Sequence, residues 1–124
     1  LALLACVEGE AHVLGLLGAA LRLSANGFRV ITLGAATPPE ALGAAVRHMA
    51  PRLVGLSVTR APTDSTQLFR AYGKQLRSTP WVVGGRGSDK TAGAVAKSGG
   101  STAVDTGPAW ASQINSWLRG NISP

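Results

Sequence analysis

The chain has 124 residues, 45% of them hydrophobic and 15% charged, which suits one globular domain with an ordinary core. No apolar run reaches the roughly 18 residues of a membrane span, the apolar start lacks the basic flank of a signal peptide, and the single cysteine excludes an intrachain disulfide framework and fits a reducing cytoplasm. Twelve Lys and Arg against six acids give a net charge of +6, but the basic residues are scattered and not interleaved with aromatics, so they read as solvated helix faces and direct nucleic-acid binding by this domain is not expected.

Five short apolar runs, at residues 2–6, 28–34, 53–58, 81–84 and 102–105, have strand length and little alternation, as strands buried on both faces do. The first, "ALLAC", ends on Cys6, read as a small core hydrophobe. Helix-like stretches separate them, over 13–26, 38–50, 64–77, 89–98 and 109–118. Gly27 stands where the first helix wants a left-handed C-cap. In "TPPE", Thr37 is expected as N-cap, with Pro38 in the first helical position and Glu40 as its capping-box partner. Asp64 and Asp89 sit at helix starts, where the helix dipole favours acids. His48, on the second helix, is expected at the surface, and Trp81 as a core or edge packer. Trp110 and Trp117 share one face of the last helix, for the core or for another domain.

Strand and helix alternate five times. This predicts an α/β fold, a doubly wound five-stranded parallel sheet in the flavodoxin-like order 2-1-3-4-5 with helices on both faces. The domain is taken as residues 1–119, with 120–124 as a frayed tail, and as one module of a longer protein. Ligands of such sheets bind outside the carboxyl ends of the strands, near the switch between strands one and three. Three segments meet there: "VEGEAHVLG" after strand one, "SVTRAPTDS" after strand three and "GGRGS" after strand four.

Those turns lack the marks of several doubly wound families. Ser57 stands where a phosphoacceptor domain needs an acid, and Glu8 and Glu10 would repel a flavin phosphate. The G-x-G-x-x-G of a dinucleotide fold is missing after strand one. What remains is His12 beside Glu10 in a loop expected to be exposed, with Gly15 three residues on. A carboxylate can fix the histidine tautomer and make its other nitrogen a better donor to a metal. One histidine does not hold a loose divalent ion, but it can supply one axial bond to a metal already held by a macrocycle. The same histidine can equally be a surface residue that caps the helix.

"EAHVLG" resembles the D-x-H-x-x-G signature of cobalamin-binding domains, with Glu10 in the place of the usual Asp. "SVT" at 57–59 and the glycine pair Gly84–Gly85 resemble the later family elements, in the expected order. The resemblance implies cobalamin, as adenosylcobalamin or another form, bound base-off with His12 as the lower axial ligand of cobalt. It implies Glu10 behind His12, Gly15 giving the nucleotide tail room to pass the first helix, Ser57 and Thr59 hydrogen-bonding that tail, and Gly84 and Gly85 leaving a slot for its flat ring. Arg60 and Arg86 flank the crevice, solvated or within reach of the nucleotide phosphate. Corrinoid methyltransferases and mutases typically read D-x-H-D-x-G. Here Val13 replaces the second acid, and "GEAHVLG" looks like the G-E-x-H-x-x-G form of light-responsive transcriptional regulators of the MerR type and related antirepressors of photosynthesis genes. That implies a sensory domain and no enzyme, partnered by a DNA-binding domain or transcription factor and open to self-association. The alternatives are a corrinoid carrier domain and a relative that binds haem in the same place.

Overall fold

The computed structural model describes residues 1–103, 112, 113, 115 and 116. The order is β1 (Ala2–Val7), α1 (Leu14–Ala25), β2 (Val30–Thr37), α2 (Pro39–Met49), β3 (Leu53–Ser57), α3 (Ser65–Leu76), β4 (Trp81–Gly84), α4 (Ser88–Lys97) and β5 (Ser101–Thr102). All pairings are parallel, in the order β2-β1-β3-β4-β5, as expected from the alternation of strands and helices. Of the helix expected over 109–118, residues 112, 113, 115 and 116 are described and helical. Trp110, Trp117, the end of the strand expected over 102–105 and the tail 120–124 lie outside the described residues.

Register aligns the carboxyl ends of the three central strands. Cys6 pairs with Ser57, and Ser57 with Gly84, so the turns that follow leave the sheet at one level. Strand alternation splits the core in two. Leu3, Ala5, Val7, Val54, Leu56, Trp81 and Val83 face Leu42 and Val46 of α2, Phe69, Tyr72 and Leu76 of α3, and Val95 of α4. Ala2, Leu4, Cys6, Leu53 and Val82 face the other way, toward Leu16 and Leu23 of α1 and Phe28. Burying one such large side chain stabilises the fold by about 1.5–3 kcal/mol. Three helices thus cover one face of the sheet, and among the described residues α1 alone packs into the core of the other. Trp81 is a core residue stacked on Phe69, ring centroids 6.3 Å apart, Cys6 is fully buried and His48 is exposed.

Three local expectations need correction. Thr37 does not cap α2. It is the last residue of β2, and Pro38 is the N-cap, with no side-chain hydrogen bond. Strand pairing claims Thr37 because β1 runs on to Val7, which pairs with it. β2 therefore starts later and runs further than 28–34, and much of it is exposed because it lies at a sheet edge. Third, Glu10 is 6% exposed, although its neighbours Gly9 and Ala11 are exposed. The other helix signals hold. Gly27 follows the C-cap of α1 at φ +94°, Asp64 accepts a hydrogen bond from the Gln67 N–H, and Asp89 stands in the first turn of α4.

Candidate functional site

The turn after β1 is tight. The Glu10 N–H donates to the Val7 carbonyl at 2.9 Å, and Gly9 takes φ +85°, a conformation that favours glycine. The turn sends the Glu10 side chain inward, where every carboxylate contact comes from His12 or Thr59. Oε2 accepts from the His12 backbone N–H and stands 3.0 Å from the ring Nδ1. Oε1 accepts from the Thr59 backbone N–H at 2.8 Å, and the Thr59 hydroxyl lies 2.7 Å from both carboxylate oxygens. Burial alone would raise the Glu10 pKa. The hydrogen bonds from Thr59 and then His12 outweigh it and hold the group at about 2, against an ordinary 4.5.

An ionised carboxylate only accepts, so the hydrogen between Glu10 and His12 belongs on Nδ1. When the ring carries a single hydrogen there, Nε2 has a free lone pair able to coordinate. The His12 side chain is 78% exposed while that of Glu10 is 5% exposed. The pair is therefore anchored inside by Glu10 and presents the imidazole outside. Beneath the loop, the Cys6 thiol donates to the His12 carbonyl at 3.6 Å. Burial, and then the Glu10 charge, push that thiol up, so it stays protonated. Among the described residues no group of three His, Cys, Asp or Glu could hold a metal ion unaided.

Beside the loop, between α1 and the sheet, a cavity of about 790 Å³ opens. Gly15, Gly18 and Ala19 of α1 form one wall, and Leu4, Gly55, Ser57 and Val82 the sheet side. Gly84, Gly85, Arg86, Ser88 and Asp89 close the end after β4. A Cβ at Gly15 would meet only the Ser57 Oγ, at an unstrained 3.9 Å, so that wall has room for a methyl group. Gly85 has a different reason to be glycine. It takes φ +108°, and a Cβ there would lie 2.3 Å from the Val58 carbonyl oxygen.

The structure thus gathers Glu10, His12 and Thr59 in one cluster, and Gly15, Ser57, Gly84 and Gly85 along the adjacent cavity. Thr59 is turned to Glu10 and does not line the cavity, a role the sequence reading missed. Arg86 lines the cavity and Arg60, which is exposed, does not. Gly18 and Gly55 were also missed, although a glycine inside a strand is itself a signal of close approach.

The site thus offers an exposed imidazole set against a buried carboxylate, and a glycine-walled cavity lined by Gly15, Ser57, Gly84 and Gly85. Residues 1–109 match the family model for the B12 binding domain. The chain is 45% identical over 85 residues to the HTH-type transcriptional repressor CarH of Myxococcus xanthus, covering 66% of this chain and 28% of that protein. It is 39% identical over 89 residues to the repressor CarA of the same organism, covering 70% of this chain and 31% of the other. The chain therefore spans less than a third of the length of these relatives. In fold it resembles a cobalamin-binding protein from Desulfitobacterium hafniense DCB-2, with TM-score 0.74, 22% identity and coverage of 96% of this chain and 58% of that one. It also resembles the methanol:cobalamin methyltransferase complex MtaBC of Methanosarcina barkeri, with TM-score 0.73, 21% identity and coverage of 99% and 51%.

Proposed function

The chain belongs to the B12 binding domain family, and from that premise we propose that it is the cobalamin-binding sensory module of a light- or cobalamin-responsive transcriptional regulator, with His12 as lower axial ligand of base-off cobalamin. The observation that carries the ligand assignment is the buried Glu10 carboxylate, which takes the Nδ1 hydrogen of a ring that is otherwise exposed. Ser57, Gly15 and the Gly84–Gly85 turn offer the tail its slot, and Arg86 offers a cation within it. His12 would hold the cofactor through its cobalt, and adenosylcobalamin bound there would supply a light-sensitive bond. The protein's own part is to hold the imidazole in one tautomer and to enclose the tail.

The regulatory role rests on likeness to two transcriptional repressors, and a DNA-binding domain or transcription-factor partner follows from that likeness. The side chains after the histidine favour it over a methyl carrier. Val13 packs against the core and Leu14 is 83% exposed, so the two side chains that follow His12 offer no protonatable group to release the ligand. A methyl carrier would need a neighbouring group that helps His12 release the cofactor during transfer.

The test is a visible spectrum of purified protein mixed with hydroxocobalamin or adenosylcobalamin, before and after green light. The expected result is stoichiometric binding with the base-off, histidine-ligated spectrum, lost in His12→Ala. A folded protein that retains no corrinoid refutes the site. His12-dependent methyl transfer from methylcobalamin to homocysteine, above the rate of the free cofactor, replaces the sensor with the carrier.

A further inference from the structure

The histidine loop is held from a place its own sequence does not show. Tyr72 stands on α3, in the core on the opposite side of the sheet from the cavity, and is fully buried. Its hydroxyl reaches the end of the sheet and makes two hydrogen bonds there. It donates to the Thr37 carbonyl at 2.5 Å and accepts from the Glu8 N–H at 2.9 Å. Glu8 opens the turn whose last residue is Glu10. Thr37 ends β2, and the neighbouring Ala36 N–H donates to the Glu10 carbonyl at 2.8 Å. Ala36 holds φ +48°, a left-handed conformation that disfavours alanine and persists only where neighbouring bonds fix it. One hydroxyl therefore joins the first residue of the ligand turn to the strand end that supports the same turn.

We propose that Tyr72 is the positioning residue for His12: its hydroxyl sets the Glu8–Glu10 turn, the turn sets the Glu10 carboxylate, and the carboxylate sets which ring nitrogen of His12 faces out. The part concerning cobalt rests on the reading of His12 as axial ligand, whereas the tautomer belongs to the ligand-free protein. Burial pushes the Tyr72 hydroxyl up to about 12, so it keeps its donor hydrogen at working pH. The ring keeps its contact with Phe69, centroids 6.1 Å apart, when the hydroxyl is removed, so Tyr72→Phe isolates the two hydrogen bonds.

The measurement is the ¹⁵N shift pair of the His12 ring in wild type, Tyr72→Phe and Phe69→Leu. Phe69→Leu loosens the same core and keeps the hydroxyl. In wild type a single Nδ1–H form is expected. In Tyr72→Phe a mixture of tautomers is expected, with hydroxocobalamin affinity reduced about tenfold, the lower end of the range for an outer partner of a metal ligand. In Phe69→Leu the wild-type ring pattern should persist. An unchanged ring pattern in Tyr72→Phe, or an equal change in Phe69→Leu, overturns the proposal. If Tyr72→Phe does not fold, the lone tyrosine allows site-specific replacement by growth on 3-fluorotyrosine. The more acidic hydroxyl should move the Glu8 N–H and His12 ring signals, and their immobility overturns the proposal. Loss of the axial spectrum in His12→Ala is read separately, so failure of cobalt ligation is distinguishable from failure of Tyr72 to position the ring.

Discussion

Lowering the pH attacks the Glu10 cluster from the inside. The carboxylate is held at about 2 in the folded protein against an ordinary 4.5. The folded value is the lower one, so the unfolded chain binds the proton first. The stabilisation is therefore complete above the unfolded value and is lost as pH falls from about 4.5 through about 2. A difference of about 2.5 units corresponds to about 3 kcal/mol at neutral pH, of which about 2 kcal/mol is gone by pH 3. The group is 6% exposed, so solvent screening takes little from that figure. The assay is urea unfolding at pH 7, 5.5, 4 and 3, on wild type and Glu10→Gln. Glutamine keeps an acceptor for Thr59 but carries no titrating charge. Wild type should lose about 2 kcal/mol more than Glu10→Gln between pH 7 and pH 3. Parallel losses in the two proteins would show that the four hydrogen bonds to this carboxylate do not favour its charged form, and the tautomer argument for His12 would fall with them.

Thr59→Val removes the hydroxyl that touches both Glu10 oxygens and should cost about 1–2 kcal/mol at pH 7 with a smaller acid-dependent loss, measured by the same unfolding series. Gly85→Ala puts a Cβ 2.3 Å from the Val58 carbonyl at φ +108°, and thermal unfolding should show a loss of at least about 2 kcal/mol. A melting temperature within a degree of wild type would contradict that. In Gly15→Leu the Cβ is accommodated without strain and helix propensity rises, by up to about 1 kcal/mol, so the protein should fold at least as well. Its side chain enters the cavity wall, and equilibrium dialysis should find cobalamin affinity reduced at least tenfold. Undiminished binding would mean that the tail does not pass there.

The sheet was legible because its signal is local: buried strands without alternation, separated by helices with caps. Its order followed from how such units wind. The edge of that logic is visible at Thr37, where a strong capping pattern lost to pairing with Val7, a contact 30 residues away in the chain. At the site, His12, Glu10 and Gly15 were legible because they share one short motif. Thr59 was noticed as a partner for the tail, and nothing in "SVT" says that its hydroxyl turns back to a carboxylate 49 residues earlier. Tyr72 was invisible as a functional residue. A tyrosine on an amphipathic helix reads as packing, and only the folded chain shows where its hydroxyl ends.

α1 is thinly held, and that bears on the lifetime of the protein in the cell. It buries only Leu16 and Leu23, carries Gly15 and Gly18 in its first half, and has no side-chain cap at Val13. Leu14 and Leu21 are largely exposed and Leu17 is about half exposed, so they add little to its hold on the sheet. Such a helix should open at a lower free energy than the doubly covered strands beneath it, which amide exchange would show. A molecule lodged between α1 and the sheet adds the missing contacts, at about 2.7 kcal/mol when present at a hundred times its dissociation constant. Protease resistance and amide-exchange protection of α1 then become a reading of cofactor supply, and a cell short of the cofactor would clear this protein sooner than one replete with it.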